Sequence, residues 1–118
     1  MPSGSEGIMI TREENEAMRP PAPTAVRAVV TSDKSVRITW QRPPAPTVTP
    51  RFSKTIIEYR IHRRGPGQVE MRQIGASTTL EFIDKTPGKG VFAFVVTAVH
   101  ENDVESMASD PAVELTLP

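Results

Sequence analysis

Thr86-Pro87-Gly88-Lys89-Gly90-Val91-Phe92-Ala93-Phe94-Val95-Val96-Thr97-Ala98-Val99 is the stretch on which the fold turns. A Pro-Gly turn signal leads into a run of aromatic and β-branched residues, which is the composition of a strand. Side chains alternate across a strand, so Phe92, Phe94, Val96 and Ala98 share one face and Ala93, Val95, Thr97 and Val99 the other. The first row is expected inside. The second row points away from the core beside Ile56 and has two readings: a contact surface, with Val95 and Val99 as its candidates, or a row covered by long neighbours such as Arg60.

Outward from this stretch the same alternation repeats. Strands are expected at 24–31, 35–41, 54–63, 68–74, 78–83, 90–100 and 107–117, separated by Pro, Gly, Asp and Asn clusters. In the second, Val36, Ile38 and Trp40 share a face. In the third, Ile57, Tyr59 and Ile61 are expected inward, with Glu58, Arg60 and His62 outward. Seven short strands with no helical stretch between them predict an all-β chain folded as a seven-stranded antiparallel two-sheet sandwich.

Over residues 20–118 the chain resembles a fibronectin type III domain. Pro20-Pro21-Ala22-Pro23-Thr24-Ala25-Val26, then Ser35-Val36-Arg37-Ile38-Thr39-Trp40 with Pro43-Pro44, resembles the first two strands with their buried Trp. Ile57-Glu58-Tyr59-Arg60-Ile61 resembles the third strand, and 86–99 the corner and sixth strand. The resemblance implies an immunoglobulin-like sandwich. Two positions depart from the family: Thr86 stands where Leu is usual, and Phe92 where Tyr is usual. The family's Tyr ties the corner to backbone through its hydroxyl, so Phe92 predicts a corner held by packing alone. The integrin-type Arg-Gly-Asp is replaced by Arg64-Gly65-Pro66.

The chain has 118 residues, enough for one domain with a real core. Fourteen basic and fourteen acidic side chains leave no net charge to draw it to nucleic acid. No apolar run nears the roughly 18 residues of a membrane span, so membrane insertion is not expected. The first residues carry no signal-peptide pattern, which suits either a piece cut from a larger exported protein or a protein assembled inside the cell that makes it. Without cysteine there is no disulfide, thiol nucleophile or thiolate metal site.

The inventory for catalysis is thin. His62 and His100 are the only histidines, and both are expected as solvated surface residues. His100 with Glu101 and Asp103 offers too few ligands for a metal site. No nucleophile elbow, phosphate-cradling loop or zinc spacing occurs, so no catalytic residue and no cofactor is expected. Arg60, His62, Arg63 and Arg64, near Arg72, form a local basic cluster. With Tyr59 pointing inward it lacks the interleaved aromatics of a nucleic-acid surface, and it reads as a strand end that guards an edge.

Two segments are left for binding. The loop from Arg42 to Phe52 carries four prolines, and stiffness lowers the entropy lost when a loop is held by a partner. Pro46, Val48 and Phe52 are its contact candidates, although prolines also simply prevent fraying. Residues 1–19 read as an N-terminal arm: polar, acidic, and ended by Pro20, Pro21 and Pro23. Thr11-Arg12-Glu13-Glu14 has the form of a capping box, and the apolar triplet Ile8, Met9 and Ile10 has no sandwich strand to join. The arm is therefore expected to dock on a neighbour. The function expected is a non-catalytic structural or adhesive protein-protein interaction module, a small subunit or decoration protein of an assembly such as a bacteriophage virion. The alternative is an accessory module of a secreted enzyme or cell-surface receptor. Protein partners in a larger assembly are expected in the first case.

Overall fold

Strands form where the alternation is strongest. A computed structural model describes residues 19–85 and 87–118, and in it the elements are β1 (Thr24–Val30), β2 (Val36–Gln41), β3 (Ile56–Arg64), β4 (Arg72–Ser77), β5 (Glu81–Asp84), β6 (Gly90–His100), β7 (Val104–Glu105) and β8 (Val113–Leu117). One sheet has the order β1-β2-β5. The other runs β4-β3-β6, with β7 and β8 both paired to the far edge of β6. All pairings are antiparallel. The arm with Ile8, Met9, Ile10 and its capping box, and Thr86 at the corner, lie outside the described residues.

The inward rows meet as expected. Val36, Ile38 and Trp40 of one sheet pack on Tyr59, Ile61, Phe92, Phe94, Val96 and Ala98 of the other. Trp40 is 1% exposed, and its ring lies 5.5 Å from that of Tyr59 at a tilt of 58°. The all-β sandwich read from the sequence is the fold observed, with the two-residue β7 as an addition.

Three local expectations are corrected. Ile57 is exposed, because β3 carries a bulge: Ile56 pairs with His100 and Glu58 already with Val99. The extra residue turns Ile57 outward and sends Ile56 to the core instead. The last strand begins at Val113, not at 107. Residues 106–112 follow β6 differently: the N–H groups of Ser106 and Ser109 donate to the carbonyls of Ala98 and Val96. Their hydroxyls in turn accept from the N–H groups of Ala98, at 2.8 Å, and Val96, at 2.9 Å. Side chains thus do what a neighbouring strand's carbonyls would do.

The third correction concerns the corner. Phe92 is 3% exposed, and the Arg63 guanidinium lies 5.6 Å from its ring centroid. Arg63 donates at 2.6 Å to the buried carboxylate of Asp84. A charged group from β3 thereby spans the two sheets beside Phe92, so the corner is held by an ion pair as well as by packing.

Candidate interaction surface

Strand alternation alone would have left the outward row of β6 bare. Ala93, Val95, Thr97 and Val99 are instead all buried, at 3%, 8%, 5% and 0% exposure. What covers them comes from the strands on either side. Arg60 on β3 donates to Glu58, Asp103 and Glu105 at 3.1–3.3 Å, spanning the row from β3 to β7. The hydrogen bonds that Arg60 donates to Glu58 and then to Asp103, followed by the charges of Glu105 and Asp103, raise the guanidinium pKa above its usual value. The expected contact surface at Val95 and Val99 is therefore corrected: both residues are sealed under their own neighbours.

His62 belongs to the same cover. Its Nε2 lies 3.3 Å from the Thr97 hydroxyl and 3.6 Å from Glu105, while Thr97 donates to Glu105 at 2.6 Å. Burial lowers the His62 pKa from its ordinary value, against the opposing pull of Glu105. A hydroxyl between an imidazole and a carboxylate has the parts of a nucleophile and its base. Here the hydroxyl proton is committed to Glu105 and Thr97 is buried, so the arrangement is a structural bracket. The expected solvated His62 is corrected accordingly. So is the basic cluster guarding an edge, since β3 is interior, Arg60 and Arg63 are each paired, and β4 forms the edge.

The loop end of the sandwich is built differently. Here the chain enters at Pro20, the β2–β3 loop closes at Thr55, and β6 turns into β7 through Glu101–Asp103. That turn is tight, with Asn102 and Asp103 both at positive φ, which these side chains tolerate. His100 is buried, not solvated as expected, and it pins the long loop: its Nδ1–H donates at 2.6 Å to the Ser53 carbonyl. Ser53 also donates to Glu101 at 2.6 Å, and the Glu101 N–H donates to the Thr55 carbonyl. The Phe52 ring meets the His100 ring edge-on at 5.0 Å.

Between the pinned end of this loop and its prolines lies a groove of about 250 Å³. Its walls include Pro21, Pro43, Pro46, Phe52, Ile56 and His100, and its charged lining groups are Arg42 and Lys54. Pro46 lines it half-buried. Phe52, at 9% exposure, is the loop's anchor and one wall of the groove. Val48 is half-buried and not part of the lining. A second groove, between the start of β1 and residues 107–113, is larger and apolar, and its one charged lining group is Asp110. Among the described residues no cluster of His, Asp or Glu is arranged to hold a metal ion, and no helix is long and apolar enough to cross a membrane.

Sequence reasoning missed His100 as an organising residue. The signal was its place at the end of an apolar strand, directly before a turn rich in Asn and Asp.

A two-sheet sandwich with this strand order, a buried Trp on β2 and a corner before β6 is a fibronectin type III fold. Comparison with solved structures agrees. An Fn3-like protein from Clostridium thermocellum superposes with a TM-score of 0.64 at 24% identity, covering 84% of this chain and 94% of that one. A structure of titin kinase and its flanking domains matches with a TM-score of 0.65 at 21% identity, over 86% of this chain and 18% of that one. Pectate lyase PelI from Erwinia chrysanthemi, in complex with tetragalacturonic acid, matches with a TM-score of 0.59 at 18% identity, over 79% of this chain and 28% of that one. No family model and no curated protein matches the chain.

Proposed function

We propose that this chain is a non-catalytic protein-interaction module that serves as a small subunit of a larger protein assembly, a decoration protein of a virion being the kind of role it suits. The observation that carries the reading is the loop end. A stiff, proline-walled groove is open there, while the sandwich's other apolar row is sealed by the chain's own side chains. A preordered apolar concavity with few charged groups recognises another protein's side chains at low entropic cost. The arm of residues 1–19 supplies a second element for assembly, and protein partners follow from both. Native fractionation tests the reading: the protein recovered gently from its source should travel in a particle far larger than its own 12.9 kDa. Recovery as a free monomer would defeat it.

A second reading has its own support. The same fold makes up a minor part of the titin and pectate lyase chains it resembles. An accessory module of a longer secreted or cell-surface protein would be recovered covalently joined to further domains, and intact mass spectrometry separates the two.

A further inference from the structure

Resting on the assembly reading, we infer that the groove walled by Pro21, Pro46, Phe52 and His100 is the receptor for the N-terminal arm of a second copy of this chain. Charge points to this pairing first. Residues 1–19 hold four glutamates and two arginines, a side-chain charge of −2. Residues 20–118 hold twelve of the fourteen basic and ten of the fourteen acidic side chains, a charge of +2. The chain is thus neutral as a whole, so copies approach without net repulsion, yet it is divided into an acidic arm and a basic body.

Within the body, the two grooves at this end differ in sign. Among the described residues, the groove beside the β2–β3 loop has Arg42 and Lys54 on its lining and no acidic residue, whereas the larger one has Asp110 as its one charged group. An acidic arm is favoured in the first and opposed in the second. Its apolar triplet, Ile8-Met9-Ile10, matches the proline, Phe52 and Ile56 walls, and its glutamates flank the triplet on both sides, where Arg42 and Lys54 can meet them.

Length and stiffness favour a second copy over the chain's own groove. Eighteen extended residues reach up to about 60 Å, enough to span to a neighbouring molecule. Pro20, Pro21 and Pro23 bias the backbone to extended conformations where the arm leaves beside the groove, which disfavours an immediate turn back into it. Each chain offers one arm and one groove. Two copies that exchange arms reciprocally close a twofold dimer, and arms passed on from copy to copy close a ring or extend a filament.

The full chain carries the test because it has no cysteine, so Ser5→Cys provides a unique site for a nitroxide label. Spin-labelled chain is mixed with isotope-labelled, unmodified chain, and amide intensities are compared with the reduced label. The expected result is loss of intensity at Ala45, Phe52, Lys54 and His100 of the isotope-labelled partner. The loss should vanish with Ile8→Ser, Met9→Ser and Ile10→Ser combined, and weaken with added salt or with Lys54→Glu. Three results would overturn the inference: no loss at these amides at any concentration, loss centred on Met107 and Ala108, or loss only when label and isotope share one chain. None of these bears on whether the native protein travels in a large particle, so the inference can fail while the assembly reading stands.

Discussion

One strand, β6, meets the surface in two places that end differently. Along its length the outward row Ala93, Val95, Thr97 and Val99 is closed over. At its end, around His100, the molecule leaves a groove open. The neighbours explain the contrast. Beside the row stand Arg60 and His62 on β3 and Glu105 on β7, side chains long enough to lie across it and of opposite charge, so that they hold one another in place. Around the groove stand prolines, which are short and cannot donate backbone hydrogen bonds, so they have neither the reach nor the donors to lie across the space as Arg60 and His62 do across the row. Whether an apolar row is exposed is decided by the side chains on the next strand, not by the row.

The largest effect expected from breaking this arrangement lies in the core that both places share. Trp40→Ala should lower stability by about 3–5 kcal/mol, visible as a large drop in the denaturant midpoint. An unchanged midpoint would mean that the two sheets do not meet at Trp40. Next comes the groove wall: Phe52→Ala removes the ring that rests on His100 and should cost about 2–3 kcal/mol. Amide exchange should rise in the β2–β3 loop and stay unchanged at Phe94 and Val96. Faster exchange throughout the sandwich would show that the loop is not a separate unit.

Opening the covered row should matter less. Arg60 is partly exposed, and its three acceptors share the load, so Arg60→Ala is expected to cost about 1 kcal/mol or less while admitting a hydrophobic dye to Val95 and Val99. No gain in dye binding would show that another side chain covers the row. The smallest effect is one of pH. Because burial holds the folded-state pKa of His62 below 6.5, the unfolded chain takes up that proton first as pH falls. The His62 contribution is constant above about pH 6.5 and is lost as pH drops towards the folded-state pKa, with no further loss below it. The denaturant midpoint should therefore be lower at about pH 5.5 than at about pH 7.5, and His62→Gln should reduce that difference. An equal difference in the variant would assign it to other groups.

The fold was legible because its signals are local and repeated. The alternation in 36–40 and 90–99 specifies which faces meet, and Trp40, Phe92 and Phe94 sit where that pattern places them. What escaped depends on pairings distant in sequence. The bulge that exchanges Ile56 and Ile57 arises only when β3 is laid against β6. Arg63 reads as one member of a basic cluster until Asp84, 21 residues away, arrives on the facing sheet. Of the candidate contacts, Val95 and Val99 were lost to Arg60, 35 or more residues earlier in the chain, whereas Pro46 and Phe52, six residues apart in one loop, came together in the groove.

The Ser106 and Ser109 hydroxyls bonded to β6 have a consequence for how safely such a chain can be crowded. An open strand edge invites the extended backbone of another molecule, and that invitation leads to aggregation. Along its far side β6 is bonded in turn to β8, Ser109, Ser106 and β7, so its 11 residues offer an intruder no continuous run of free backbone groups. Ser106→Ala with Ser109→Ala would remove two hydroxyls of negligible bulk and leave the N–H groups of Val96 and Ala98 without these acceptors. Two small polar residues outside any strand thereby help to keep copies of this chain from fusing through their longest strand.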